Sequence, residues 1–156
     1  MRMLALDHGS ARCGVAVSDP TGVLATPLPV IERPDTRRGL AAVAALVDAR
    51  EVERVVVGLP LTLAGDEGTQ AAAARTFAAR LEERLPIPVE LYDERLTTRQ
   101  AERTGGTAEL DSRAAAHLLE SYLARRGAAA APDAEASAAD ASAADPPAVN
   151  TGAARA

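Results

Sequence analysis

The sequence predicts an α/β fold built on a mixed five-stranded sheet, and three observations carry that prediction. Three short extended runs come first, separated by turn signals rather than helices. A helix, strand, helix, strand, helix alternation then follows. One of the later strands, Arg54-Val55-Val56-Val57-Gly58, is almost wholly apolar, as strands buried on both faces are. Strands joined by turns pair antiparallel, whereas strands joined through helices need parallel crossovers, so the sheet should be mixed with helices on both faces.

Met3 to Leu6 and Gly14 to Ser18 are apolar runs around a Gly-containing turn and read as an antiparallel hairpin. Asp19-Pro20-Thr21-Gly22 is a turn, and Val23 to Ile31, broken by Pro27 and Pro29, is an edge strand because proline cannot donate to a central ladder. Asp35 is placed to cap a helix from about Thr36 to Arg50, in which Leu40, Val43, Ala44 and Val47 recur at helical spacing. After the Val55 strand, a loop with Gly65 and Gly68 leads to a helix over about residues 69 to 85, ended by Pro86 and Pro88. Val89 to Tyr92 is the fifth strand. Thr97 to Arg103 is expected to form a short helix before Gly105-Gly106. A last helix, opened by Asp111-Ser112, runs to about Arg126 with Ala115, Leu118, Leu119, Tyr122 and Leu123 on one face.

The chain of 156 residues is 47% hydrophobic, enough for one sizeable core, and only 2% aromatic, so that core must be aliphatic. The organisation expected is one domain over residues 1–126 and a disordered, Ala-rich acidic tail over 127–156, where half of the residues are Ala. The formal charge of −5 argues against a nucleic-acid partner until its distribution is considered: residues 1–127 carry 16 Arg against 18 acids, so more than half of the imbalance lies in the tail. The chain has no Lys, which excludes Schiff-base and Walker-A chemistry, whereas Arg retains planar phosphate recognition. The single cysteine, Cys13, permits no internal disulfide; with no apolar run of membrane-spanning length and no leader-like segment, a cytoplasmic protein with no membrane partner is expected.

Carboxylates recur at strand and helix ends. Asp7 ends the first strand, Asp93-Glu94 ends the fifth, and Asp111 begins the last helix. Each alone has a plainer role as a turn residue, a solvated charge or a helix cap. If the strand ends share a rim, however, Asp7, Glu94 and Asp111 converge. Such a cluster suits hard cations, Mg²⁺ or Mn²⁺, and two-ion hydrolysis of a phosphodiester. Asp93 competes with Glu94, because adjacent strand residues face opposite ways. Arg12 and Arg95 border this rim and can either clamp phosphate or pair with a nearby acid. Thr97 and Thr98 can bond phosphate or cap the short helix. His8 is expected to be a half-exposed turn residue, Cys13 a small core residue and Gly58 a turn former.

Leu6-Asp7-His8-Gly9 with Arg12, Gly14, Ala16 and Ser18, then Val57-Gly58-Leu59-Pro60-Leu61, then Asp93-Glu94-Arg95-Leu96-Thr97-Thr98, then Asp111-Ser112 with Ala114-Ala115, resemble in order the four motifs of the YqgF (RuvX) family. The resemblance implies an RNase H-like fold and catalytic, metal-holding carboxylates at Asp7, Glu94 and Asp111. It also implies a metal-dependent nuclease of structured nucleic acid, processing the 5′ end of pre-16S rRNA in ribosome biogenesis, with Holliday junction resolution by a homodimer on four-way DNA as the alternative. A noncatalytic ribosome-assembly or nucleic-acid-binding factor is a further reading that the acidic charge and scarce aromatics favour. Thr62, Arg113 and His117 depart from the family pattern without removing a carboxylate.

Overall fold

A computed structural model describes residues 1–62, 64–94 and 107–130. The strands are β1 (Met3–His8), β2 (Arg12–Ser18), β3 (Ala25–Glu32), β4 (Arg54–Leu59) and β5 (Val89–Asp93); the helices are α1 (Arg37–Ala49), α2 (Thr69–Arg84) and α3 (Ala108–Ala130). They form one five-stranded sheet in the order β3-β2-β1-β4-β5. β1 pairs antiparallel with β2 and β2 with β3, while β1 with β4 and β4 with β5 are parallel. The mixed sheet expected from the alternation of elements is the one found. The chain divides into a unit of Met1–Arg125 and a second of Arg126–Ala156.

Strand alternation sorts the first unit's core into two layers. On one face, Leu4, Leu6, Val15, Val17, Val55 and Val57 pack with Leu40, Val43 and Val47 of α1 and with Phe77 and Leu81 of α2. On the other, Met3, Ala5, Ala16, Val56 and Tyr92 pack with Ala115, Leu118, Leu119 and Tyr122 of α3. Val55, Val56 and Val57 are fully buried, as a central parallel strand requires. The Tyr92 and Tyr122 rings meet edge to face at 5.4 Å, and their hydroxyls find Ser121 and Glu90, so neither polar end is stranded.

Several local expectations are corrected. Thr36, not Asp35, caps α1: its hydroxyl accepts from the Gly39 amide at 3.1 Å, because the Asp35 carboxylate is taken by His8. Helix α3 begins at Ala108 rather than Asp111, with the Asp111 amide bonded to the Thr107 carbonyl, so Asp111 lies within the first turn. It also runs past Arg126 to Ala130, the alanines 128–130 extending it despite Gly127. Gly58 lies inside β4 and shapes no turn. The expected helix over 97–103 and the tail beyond Ala130 lie outside the described residues.

Two hydrogen-bonded features hold the antiparallel half in place. The buried Ser112 hydroxyl donates to the Leu28 carbonyl at 2.5 Å, tying α3 to the edge strand. Ser112→Ala leaves that carbonyl without its partner and is expected to cost roughly 1 to 3 kcal/mol in urea denaturation; an unchanged midpoint would show that the bond contributes nothing. At the β2–β3 turn, Asp19 accepts from the Thr21 hydroxyl and from the Leu24, Val23 and Thr21 amides, which hold its carboxyl well below the usual range. A depressed folded pKa contributes stability above the unfolded value, ~3.9, and loses it as pH falls further, through the folded value. Amide exchange at Val23 and Leu24 is therefore expected to stay slow through the ordinary aspartate range and to quicken only at more acid pH.

Candidate metal and phosphate site

The parallel strands β1, β4 and β5 end at one rim, and alternation decides which side chains face α3 there. Ala5, Ala16, Val56 and Tyr92 belong to the α3 layer. Counting two residues onward along β1 and β4, and two back along β2, places Asp7, Gly14 and Gly58 on that same face, and Glu94, the residue after β5, meets Gly58 there. Asp93 therefore faces the opposite layer, which separates the two carboxylates that the sequence alone left in competition.

Close packing gathers these positions. Asp7 pairs in register with Gly14. A Cβ on Gly14 would lie 2.1 Å from the Asp111 carbonyl oxygen, so the first turn of α3 rests directly on β2. The β2–β3 register shifts at this point, between Cys13 and Val15. A Cβ on Gly58 would lie 2.2 Å from Glu94 Oε1, so the buried Glu94 carboxylate occupies the space that a side chain on β4 would fill. The two glycines are what allow a helix backbone and a carboxylate onto the sheet surface beside Asp7.

Electrostatics place Asp7 and Asp111, with Asp35 rather than Glu94, around Cys13. Burial, then the charges of Asp7, Asp35 and Asp111, push the Cys13 thiol well above its ordinary pKa. Cys13 is therefore an inert core thiol, as expected, with three carboxylates acting on it. Arg12 extends from β2 on the α3 face, and its Nε donates to Asp111 Oδ2 at 2.9 Å. Of the two roles open to Arg12, pairing with an acid is the one seen.

His8 is not a half-exposed turn residue. Its side chain is 3% exposed, its ring lies 4.7 Å from that of Phe77, and Nε2 sits 3.0 Å from both Asp35 oxygens. Arg80 Nη1 donates to the Asp35 carbonyl at 2.6 Å. The end of β1, the β3–α1 junction and α2 are thus tied together one residue beyond Asp7. His117 is an exposed helix-face residue next to Glu120, as expected. Arg95, Thr97 and Thr98 lie outside the described residues.

Asp7, Glu94 and Asp111 fit a hard divalent cation in kind, since all three are oxygen donors and the only nearby sulfur is buried. In the arrangement seen, no group of three or more His, Cys, Asp or Glu among the described residues is gathered closely enough to hold a metal ion. One reason is visible: the Asp111 carboxylate is drawn to Arg12. Sequence reasoning missed Asp35 as a neighbour of this rim and Gly58 as the host of Glu94. An isolated glycine inside an apolar strand was the available signal for the second.

Comparison with known proteins gives the family and the fold. The family model described as RuvX, Holliday junction resolvase, matches residues 1–125. A protein of Koribacter versatilis named "Putative pre-16S rRNA nuclease" is 39% identical over 135 residues, covering 81% of this chain and 88% of its own. One of the same name from Chloroflexus aurantiacus is 44% identical over 133 residues, covering 80% and 87%. Among solved structures, Thermus thermophilus RuvC in complex with a Holliday junction substrate superposes with a TM-score of 0.52 at 17% identity, covering 81% of this chain and 96% of that one. At that identity the likeness speaks for the fold, which is RNase H-like.

Proposed function

This chain belongs to the RuvX family, and from that premise we propose that it is a divalent-metal-dependent nuclease that hydrolyses phosphodiester bonds of structured nucleic acid. Its substrate in this reading is pre-16S rRNA, for which its relatives are named, and the cut falls in the 5′ region. The observation that carries the proposal is the placement of Asp7 and Glu94 on one sheet face at one rim, with the first turn of α3, bearing Asp111, seated on Gly14. Action in the cytoplasm follows from that substrate; among the described residues no helix is long and apolar enough to cross a membrane.

Each residue has a distinct task in this reading. Asp7, on a strand end with paired neighbours on both sides, is the fixed ligand. Glu94 is held by burial against Gly58. Asp111 is the adjustable one, because it joins the others only by exchanging Arg12 for the cation. Mg²⁺ or Mn²⁺ held by the three would supply positive charge to the phosphoryl oxygens and lower the pKa of an attacking water. Arg12, once released, presents its fork of N–H donors to a phosphate oxygen. Arg95, Thr97 and Thr98, within four residues after Glu94, complete the substrate contacts.

The family description favours a second reading, resolution of four-way DNA junctions, which needs two active sites and hence a homodimer. A cleavage panel separates the readings. Pre-16S rRNA fragments and four-way junctions are incubated with the protein and Mg²⁺ or Mn²⁺, with a chelator control. Metal-dependent cut rRNA is the expected result. Paired symmetric cuts in the junction, with a dimer in sedimentation, would replace it by the second reading. Binding of either substrate without any turnover would leave a noncatalytic assembly factor.

A further inference from the structure

We propose that Arg33, Arg37 and Arg38, at the β3–α1 junction, form a phosphate-contacting surface that holds the nucleic-acid backbone beside the carboxylate rim. The inference rests on the nucleic-acid reading above and adds a binding surface that none of the sequence motifs contains.

The three side chains are exposed, and among the described residues no hydrogen bond or ion pair engages their guanidinium groups. Arg12, Arg54, Arg75 and Arg113, by contrast, each pair with a carboxylate. The acids nearest in sequence do not neutralise the patch: Asp35 is committed to His8, and Glu32 is the one remaining exposed acid in the segment. In a chain of net acidic charge, a run with three uncommitted arginines is a local reversal of sign.

Helix electrostatics sharpen the point. Arg37 and Arg38 stand in the first turn of α1, which contains no acidic residue. Positive side chains there oppose the partial positive charge of the helix start. The chain thus keeps an arrangement that weakens its own helix and that a bound polyanion would relieve.

Position links the patch to the site. The Arg33 amide donates to the Ala11 carbonyl at 2.9 Å, in the turn that joins β1 to β2. Asp35 joins His8, the residue after Asp7. A strand whose scissile phosphate lies at Asp7 would have its neighbouring phosphates within reach of these arginines, and no aromatic stacking is needed for such contact. This accounts for nucleic-acid binding by a protein with almost no aromatic residues.

The test measures binding apart from cleavage. Fluorescence anisotropy of a labelled pre-16S rRNA fragment, and separately of a four-way DNA junction, is recorded with chelator across a range of KCl for wild type and for R33Q/R37Q/R38Q. Each lost phosphate contact should remove about 0.7 from the slope of log K against log salt on a single strand, so the triple variant should lose about 2. Affinity at low salt should fall more than tenfold. R37E/R38E should bind at least as weakly as the triple variant yet melt at or above the wild-type temperature, because acids suit a helix start. Cleavage with Mg²⁺ is read in parallel, and for the triple variant its loss should fall on KM rather than kcat. Wild type that cleaves while the triple variant keeps the full slope would overturn the patch and leave the nuclease reading intact. A patch-dependent slope without cleavage by wild type would do the reverse. Failure of wild type to bind either substrate would sink both.

Discussion

Asp7→Asn is expected to reduce metal-dependent cleavage by more than about 100-fold, beyond the 10- to 100-fold that loss of residues merely supporting a metal ligand produces. The amide keeps the size of the carboxylate but removes its charge and one anionic donor. Asp7 is partly exposed, and its backbone pairs with Gly14 in the β1–β2 ladder, so the isosteric amide should leave the fold in place. The melting temperature should therefore stay level, or rise as repulsion within the carboxylate group is relieved. Asp93→Asn is the matched control: it also changes a strand-end carboxylate at this rim, but on the opposite sheet face, and should cleave close to wild type. Single-turnover cleavage with Mg²⁺ reads both. Equal losses in the two variants would mean that the face assignment, and with it the role of Asp7, is wrong.

That control exists because of a distinction that strand alternation alone left open and only the family resemblance made. Apolar runs and turn residues were enough to place all five strands, since the alternation of Leu4, Leu6, Val15 and Val17 with alanines and the unbroken run Val55-Val56-Val57 are local information. Choosing Glu94 over Asp93 on physical grounds needed the parallel register of β5 on β4, which sets Tyr92 opposite Gly58 and so fixes the parity of the whole strand. The α1 cap failed for a related reason. Asp35 is the better cap residue in isolation, and the choice of Thr36 was made by His8, 27 residues from Asp35, which takes its carboxylate. His8 in turn looked like a turn histidine because its polar type outweighed its parity, which places it on the α2 face against Phe77. Both of these errors came from a partner distant in sequence, whereas the misplaced ends of α3 are local matters of Thr107 and the alanines 128–130.

Gly14→Ala and Gly58→Ala are expected to fail in different ways, and the contrast tests how the site is built. On Gly14 the new methyl meets backbone: the Asp111 carbonyl oxygen at 2.1 Å, its carbon at 2.6 Å and the Ser112 nitrogen at 3.3 Å. Backbone in a helical turn cannot step aside alone, so the first turn of α3 must lift from β2. Overpacking of this kind costs roughly 1 to 3 kcal/mol, and the Ser112 bond to Leu28 is strained with it. On Gly58 the methyl meets a side chain, Glu94 Oε1 at 2.2 Å, with Leu118 Cδ2 at 3.1 Å. Glu94 can rotate away, which spares the fold but moves the carboxylate by more than an ångström. Displacement on that scale costs on the order of 100-fold in rate. Gly14→Ala should thus show its main loss in urea denaturation, and Gly58→Ala in cleavage with a smaller loss of stability. Wild-type cleavage by Gly58→Ala would show that Glu94 does not work from its place against β4. If the carboxylate set is instead the functional unit, the glycine that lets Glu94 lie on the sheet is as necessary as Glu94 itself.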